Sequence, residues 1–284
     1  MKRPTTRGTQ PNVRAQDFVF VNSGSPEDLF EFFTSPQFLN LPVAWDYQSY
    51  GDFWSGAAYI GRTNLQFFRF DTDLVPRLPE GTARFHGIGF EAAGSLQDTL
   101  DYLKDQNIEW ERGDINVGST LLCTNIHPVN LGHPTQSDTG LRTQITFYGP
   151  EFYSATFGAA TTGEYRDAAD RELIDVRGGG PLRVRTARTV VVESPDAPAT
   201  QSGFGRFLGI EPDSQGKFEF EDGPALKVIP GETEKWAKLV LQVSDLDAAK
   251  DYLEGSNMLG NHSSQHVQIA PSVIQGLTIE LTES

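Results

Sequence analysis

Lys238-Leu239-Val240-Leu241-Gln242-Val243-Ser244-Asp245-Leu246-Asp247-Ala248-Ala249-Lys250-Asp251-Tyr252-Leu253 decides how the chain is read. Its first six residues alternate in the period-2 pattern of a strand with one buried face. Ser244 or Asp245 can then cap a helix, because a short side-chain oxygen accepts an orphan amide of the first turn. Leu246, Ala249 and Leu253 fall on one helical face. A polar loop follows. His266 to Ala270 and Leu277 to Thr282 read as two further strands, joined by a turn over Pro271 to Gly276.

The same order of strand, helix and strands recurs upstream. Phe85 to Glu91 is a strand, Ser95 to Lys104 a helix, and Thr143 to Tyr148 a closing strand before Gly149-Pro150. Asp17 to Val21 leads to a helix over Pro26 to Phe33, with strands near Ala57 to Gly61 and Leu65 to Phe70. Thr189 to Val192 leads through Gln201 to Leu208 to strands at Lys217 to Glu221 and Ala225 to Ile229. Four units too small to hold a core alone are expected to pair. The expected organisation is a disordered start over 1–14, a first domain over 15–150 (modules 15–75 and 82–150), a linker over 151–184, and a second domain over 185–284 (modules 185–231 and 235–284). Within the linker, Arg177 to Pro181 is glycine-rich, and Asp167 to Leu173 suits a short helix.

The 284 residues suit two domains of ordinary size. A formal charge of −15 without any dense Lys/Arg run argues against nucleic acid and anionic membranes as partners. No stretch approaches the ~18 apolar residues of a membrane helix, and the polar N-terminus has no apolar signal segment. A soluble, cytoplasmic, acidic protein is expected. A homodimer is compatible with the sequence. The single cysteine, Cys123, permits no intramolecular disulfide, and its apolar strand context suits a buried thiol better than a nucleophile.

The stretch Leu239 to Ala249, the ending Pro271 to Leu281, and Ile145-Thr146-Phe147-Tyr148-Gly149-Pro150 resemble the vicinal-oxygen-chelate (glyoxalase, bleomycin-resistance and extradiol dioxygenase) superfamily. The resemblance covers most of 17–150 and 185–284. It implies an α+β fold of two glyoxalase-like domains, each a pair of βαβββ modules forming an open cup-shaped sheet with helices outside. It also implies a divalent metal held by His, Gln or Glu from the first and last strands of each unit, acting as a Lewis acid on substrate oxygens.

Aligned to those positions, the units offer Asp17 and Gln66, Gly87 and Thr146, Thr189 (or Arg188) and Lys227, and Lys238 and Glu280. In the C-terminal pair only Glu280 is a good ligand, and two ammonium groups repel a cation. Lys227, Lys238 and Glu280 therefore suit a salt-bridge network or an anion site. In the N-terminal pair Asp17 and Gln66 alone are ligand types. No metal ligand is assigned, and a divalent metal stays a minor expectation. Extradiol ring cleavage needs two His and one Glu in the C-terminal pair, which keeps only the Glu.

Strict alternation in the N-terminal cup aims Gly87, Gly89 and Glu91 inward, facing Thr146 and Tyr148, with Asp17, Val19, Gln66 and Phe68 beside them. That composition, apolar with a few convergent polar groups, suits a small-molecule site. Glu91 or Asp17 beside aromatic rings is the candidate general base. The same alternation turns His86 toward the helices; a one-residue slip would bring it inward and expel Gly87, Gly89 and Glu91. His127 and His133 fall in a polar insertion, and His262 and His266 flank a turn. The expected function is a lyase or isomerase acting on a hydrophobic or aromatic oxygenated metabolite. The rival is a non-catalytic protein that sequesters such a molecule.

Overall fold

The computed structural model describes residues 11–51, 53–70, 77–117, 119–131, 141–149, 152, 159 and 161–283. His133, Pro150 and most of the expected disordered start lie outside these residues. The α+β expectation holds. The first sheet contains β1 (Val13–Ser23), β2 (Val43–Ser49), β3 (Phe53–Tyr59), β4 (Asn64–Phe70), β5 (Ala83–Ala92), β6 (Trp110–Val117), β7 (Thr120–Pro128) and β8 (Arg142–Tyr148). Their order across the sheet is β2-β3-β4-β1-β5-β8-β7-β6. Each module places its first strand parallel to its last, β1 with β4 and β5 with β8. The antiparallel pair β1–β5 joins the two modules.

The second sheet repeats the plan with β9 (Val184–Ser194), β10 (Lys217–Phe218), β11 (Ala225–Pro230), β12 (Lys235–Val243), β13 (Leu259–His262), β14 (Val267–Ile269) and β15 (Ile279–Glu283). Its order is β10-β11-β9-β12-β15-β14-β13. The third unit is the shortest, with two strands described after its helix rather than three.

Four of the five described α-helices start at a side-chain cap. The helices α1 (Pro26–Thr34) and α2 (Leu96–Asp105) belong to the first sheet. At α2, Ser95 and Asp98 form a reciprocal capping box. Asp196 caps α4 (Ala197–Leu208) and Asp245 caps α5 (Leu246–Gly255) through the amides of Ala199 and Ala248. Leu246, Ala249 and Leu253 are buried, as their spacing requires.

The segment expected as a linker is a packed element. It carries α3 (Thr162–Arg171), which continues as a π-helical turn over Glu172–Val176. Its apolar positions Tyr165, Ala169 and Leu173 join the core. Arg166 on α3 is 1% exposed. Its guanidinium is 3.0 Å from Asp17 Oδ1 on β1, 2.8 Å from Asp222 Oδ2 of the C-terminal half, and 3.5 Å from Glu91 Oε2 on β5. Arg62 closes the cluster, donating through Nε and Nη2 to the two carboxylate oxygens of Asp222, both at 2.7 Å.

Backbone contacts fasten the same seam. Gln16 N donates to Asp222 O, Glu221 N to Arg14 O, and Asn12 N to Leu208 O. Ala187 N donates to Gly61 O. Gly61 has φ +85, and a Cβ there would lie 2.4 Å from Thr186 Cα, so this close approach requires glycine. The first strand therefore begins at Val13, two residues before the expected domain start, because residues 12–16 are held by the C-terminal half.

Removing one partner of a buried ion cluster strands the others without compensation. Arg166→Met is expected to lower unfolding stability in urea by about 3–5 kcal/mol. A loss below ~1 kcal/mol would show that the cluster is not what holds the seam.

Candidate functional site

The N-terminal sheet curls around a cavity of about 190 Å³. Phe18 and Phe20 of β1, Gln66 and Phe68 of β4, and Thr146 and Tyr148 of β8 are among its walls. Four of these, Gln66, Phe68, Thr146 and Tyr148, are residues the sequence aims at the cup. Phe18 and Phe20 correct the expected register of β1. The β1–β5 pairing shifts between Gln16 and Phe18, and Asp17 has no Cα partner on β5. A bulge of this kind moves one residue out of the ladder and resets the alternation behind it. Val19, expected in the cup, is instead fully buried in the core.

A second irregularity changes β5. Phe20 pairs with Gly87 and Val21 with Phe85, so His86 is skipped. Phe85 and Ile88 both enter the core although they are three residues apart, which alternation alone forbids. The extra residue brings His86 into the cavity wall, contrary to the expectation that it faces the helices. Gly89 keeps its inward position: a Cβ there would meet Phe18 and Phe20 at 3.3 and 3.4 Å. Gly87 is constrained by its neighbour strand, since a Cβ would lie 2.7 Å from Arg142 O.

The cavity is rich in aromatic rings. Phe18 stacks with Phe20 at 6.0 Å between centroids and meets Trp45 edge-on at 5.7 Å. His86 packs against Phe68 at 5.4 Å, and Tyr148 stacks on Phe152 at 4.5 Å. The polar wall groups bond one another. Gln66 Nε2 donates to Ser55 Oγ at 2.8 Å, and Trp45 Nε1 donates to the same oxygen at 3.3 Å. Thr146 Oγ1 and Gln144 Nε2 donate to Asn125 Oδ1 at 2.9 and 3.0 Å.

Asp17 and Glu91 stand behind this wall rather than in it. Tyr148 Oη donates to Asp17 Oδ2, while Arg166 holds the other carboxylate oxygen. Glu91 Oε1 accepts from Arg14 and from Thr162 Oγ1. Burial, followed by the neighbouring charge of Asp17, raises the Glu91 pKa above the ordinary carboxylate value, against the pull of Arg166 and Arg14. Asp222 goes the other way: its burial is outweighed by Arg62 and Arg166, and its pKa falls.

His86 and Arg142 are two of the cavity groups that sequence reading left out of the site. Arg142 Nη1 lies 3.5 Å from His86 Nε2, and its guanidinium lies 6.0 Å from the Phe70 ring centroid. Burial, then the charges of Arg142 and Arg84, lower the His86 pKa to about 3, so the imidazole is neutral. Burial also lowers the Arg142 pKa. Arg142 was within reach of sequence reasoning: alternation from Thr146 and Tyr148 puts 142 and 144 on the same face of β8. Cys123 lines the cavity as well, and burial pushes its thiol up to about 12, consistent with an unreactive thiol.

Among the described residues, the polar groups facing the N-terminal cavity include amides, hydroxyls, one neutral imidazole and a guanidinium, and no carboxylate. In the C-terminal sheet Lys238 Nζ donates to Glu280 Oε2 at 2.7 Å, so the one suitable carboxylate is neutralised by an ammonium. Lys227 projects from β11, beside β9, and neither it nor Lys238 and Glu280 reaches the N-terminal cavity. Among the described residues no three His, Cys, Asp or Glu side chains converge as a metal site requires.

No protein-family model matches the sequence, and no curated protein sequence matches it. Solved structures do resemble the fold. A hypothetical protein from Staphylococcus aureus aligns with a TM-score of 0.59 at 9% identity, over 96% of this chain and 100% of that one. The 2,3-dioxygenase LapB from Pseudomonas sp. KL28 aligns at 0.58 with 13% identity, over 96% and 93%. The Mn(II)-bound glyoxalase from Novosphingobium aromaticivorans aligns at 0.54 with 12% identity, over 96% and 83%. The chain has the vicinal-oxygen-chelate fold. No helix among the described residues is long and apolar enough to cross a membrane.

Two histidines, the buried His86 and the half-buried His127, have a stability consequence. A neutral buried His86 binds its proton only near pH 3, whereas in the unfolded chain it binds near 6.5. Between those values the unfolded state holds more protons, so stability falls as pH drops from about 6.5 towards 3. His127, lowered to about 4 by burial and Arg142, acts in the same direction. The melting temperature is expected to fall over this window, and His86→Phe should flatten part of the fall. Identical pH profiles for both proteins would refute the assignment.

Proposed function

We propose that this chain is a small-molecule enzyme of the vicinal-oxygen-chelate type, a lyase or isomerase whose chemistry runs in the N-terminal cup. The observation that carries the reading is the hydrogen bond from Tyr148, in the cavity wall, to the buried carboxylate of Asp17. In the proposed step a ligand proton passes to Tyr148 Oη while the phenolic proton passes to Asp17 Oδ2. The ligand's C–H or O–H bond breaks, Asp17 becomes a neutral carboxylic acid shielded from water, and the negative charge passes to the ligand. The side-chain amide of Gln66, which gives one of its two hydrogens to Ser55, supplies a donor for an oxygen that gains charge in the ligand.

Asp17 thus acts through Tyr148. Glu91, tied to Arg14, Thr162 and Arg166, is assigned a positioning role that keeps Arg166 on Asp17. The aromatic walls favour a hydrophobic or aromatic oxygenated metabolite. The metal-ligand set of the fold family is read as eroded in both cups, and no step is routed through a metal. The C-terminal cup, with Lys238 and Glu280 paired to each other, is assigned a structural role.

A binding protein that returns its ligand unchanged is the second reading. It is favoured by the mutual satisfaction of the wall groups, Gln66 with Ser55 and Thr146 with Asn125.

Proton transfer separates the two. Oxygenated aromatic compounds that raise the melting temperature would be incubated with the protein in D2O and followed by proton NMR. Deuterium is expected to enter a ligand C–H position or the product. Tyr148→Phe, which removes only the hydroxyl, is expected to slow this by about 100-fold or more with ligand-induced stabilisation retained. Ligands that bind and come back unlabelled and unchanged would favour the binding protein.

A further inference from the structure

Strand β8 presents Arg142, Gln144, Thr146 and Tyr148 to one cavity. Arg142 and Tyr148 stand at opposite ends of this row, six residues or about 20 Å apart along a strand. Arg142 carries the positive charge of the cavity wall. Its neighbour His86 is neutral, and its other close contact is the Phe70 ring. No ion pair joins Arg142 to a carboxylate among the described residues. The chain has 38 acidic residues and a net charge of −15, yet among the described residues no carboxylate is in the cavity wall. By contrast Arg62, Arg166 and Arg177 each have an acidic partner within 3.2 Å.

A partly buried guanidinium left without an anion is costly to the folded protein. Such a group is retained where a ligand supplies the anion, because guanidinium geometry matches a carboxylate in two parallel hydrogen bonds. A phosphate dianion would call for more cationic donors than this wall has. The rest of the wall is aromatic, so the body of the molecule is apolar.

We infer that the N-terminal cup selects an elongated apolar monocarboxylate, with its carboxylate on Arg142 and its apolar body running along β8 towards Tyr148. This deepens the proposed function in that it rests on the same cup being the ligand site, but it does not depend on proton transfer. Binding energy from the remote carboxylate would hold the far end of the molecule against Tyr148.

The test uses the full chain and a series of ω-phenylalkanoates, from phenylacetate to 6-phenylhexanoate, each beside its methyl ester. Affinities would be measured by calorimetry on wild type, Arg142→Met, Arg142→Lys and Tyr148→Phe. At least one acid is expected to bind wild type ten-fold or more tighter than its ester. Arg142→Met should abolish that preference, and Arg142→Lys should retain part of it. Tyr148→Phe should leave it within about two-fold. Arg142→Met without ligand should melt no lower than wild type, since it removes an unpaired charge; a structural arginine would instead be missed.

Acids that bind no better than their esters, or not at all, would overturn the inference. So would an acid preference that survives in Arg142→Met. Failure of the proton-transfer reading looks different: acid preference intact, with no deuterium incorporation.

Discussion

Arg166 is the group on which the rest of the molecule depends. It is fully enclosed, comes from a segment outside all four repeats, and faces Asp17 and Glu91 of one sheet and Asp222 of the other. A charge in that position is tolerable only with its anions in place, so the two sheets and α3 must assemble together. The bulge at Asp17 is part of this arrangement. It takes Asp17 out of the β1–β5 ladder, and the carboxylate meets Arg166 on one oxygen and Tyr148 on the other. The packing of the halves and the wall of the cup thus share one side chain.

The cup is shaped by two departures from regular pairing on adjacent strands. Both set aromatic or imidazole groups against the cavity where simple alternation would have placed something else. Phe18 replaces Asp17 at the wall, and His86 joins it there. The result is a cavity with a cationic end at Arg142 and a hydroxyl end at Tyr148, its carboxylates withdrawn behind the sheet. An otherwise acidic protein therefore offers an anion a favourable interior.

The repeat, the capped helices and the order of elements were legible in the sequence because each depends on local periodicity. Leu246, Ala249 and Leu253 are buried as their spacing requires. The last strands were also legible: Gln66, Phe68, Thr146 and Tyr148 reach the cavity on a strict period of two. The first strands were not. A bulge costs one residue of register and leaves no composition signal when its flanks are all apolar, as in Phe85-His86-Gly87-Ile88. Arg166 was invisible for another reason. Its partners lie 149, 75 and 56 positions away, and nothing in Tyr165-Arg166-Asp167 marks the one charge that turns inward.

The backbone exchange between residues 12–16 and 207–222 bears on how the molecule unfolds. Asn12, Gln16 and Glu221 donate across the seam, and Gly61 leaves no space between the halves. Two halves joined this way lose their mutual hydrogen bonds at the same moment that either one opens, so they melt in one cooperative transition rather than two. The C-terminal half, with its own cup spanned by a lysine–glutamate pair, then contributes to the free energy that keeps the other cup shaped. A change at Asp222 in that half therefore reaches the other cup through Arg166 and Asp17, although Asp222 lines no cavity there itself.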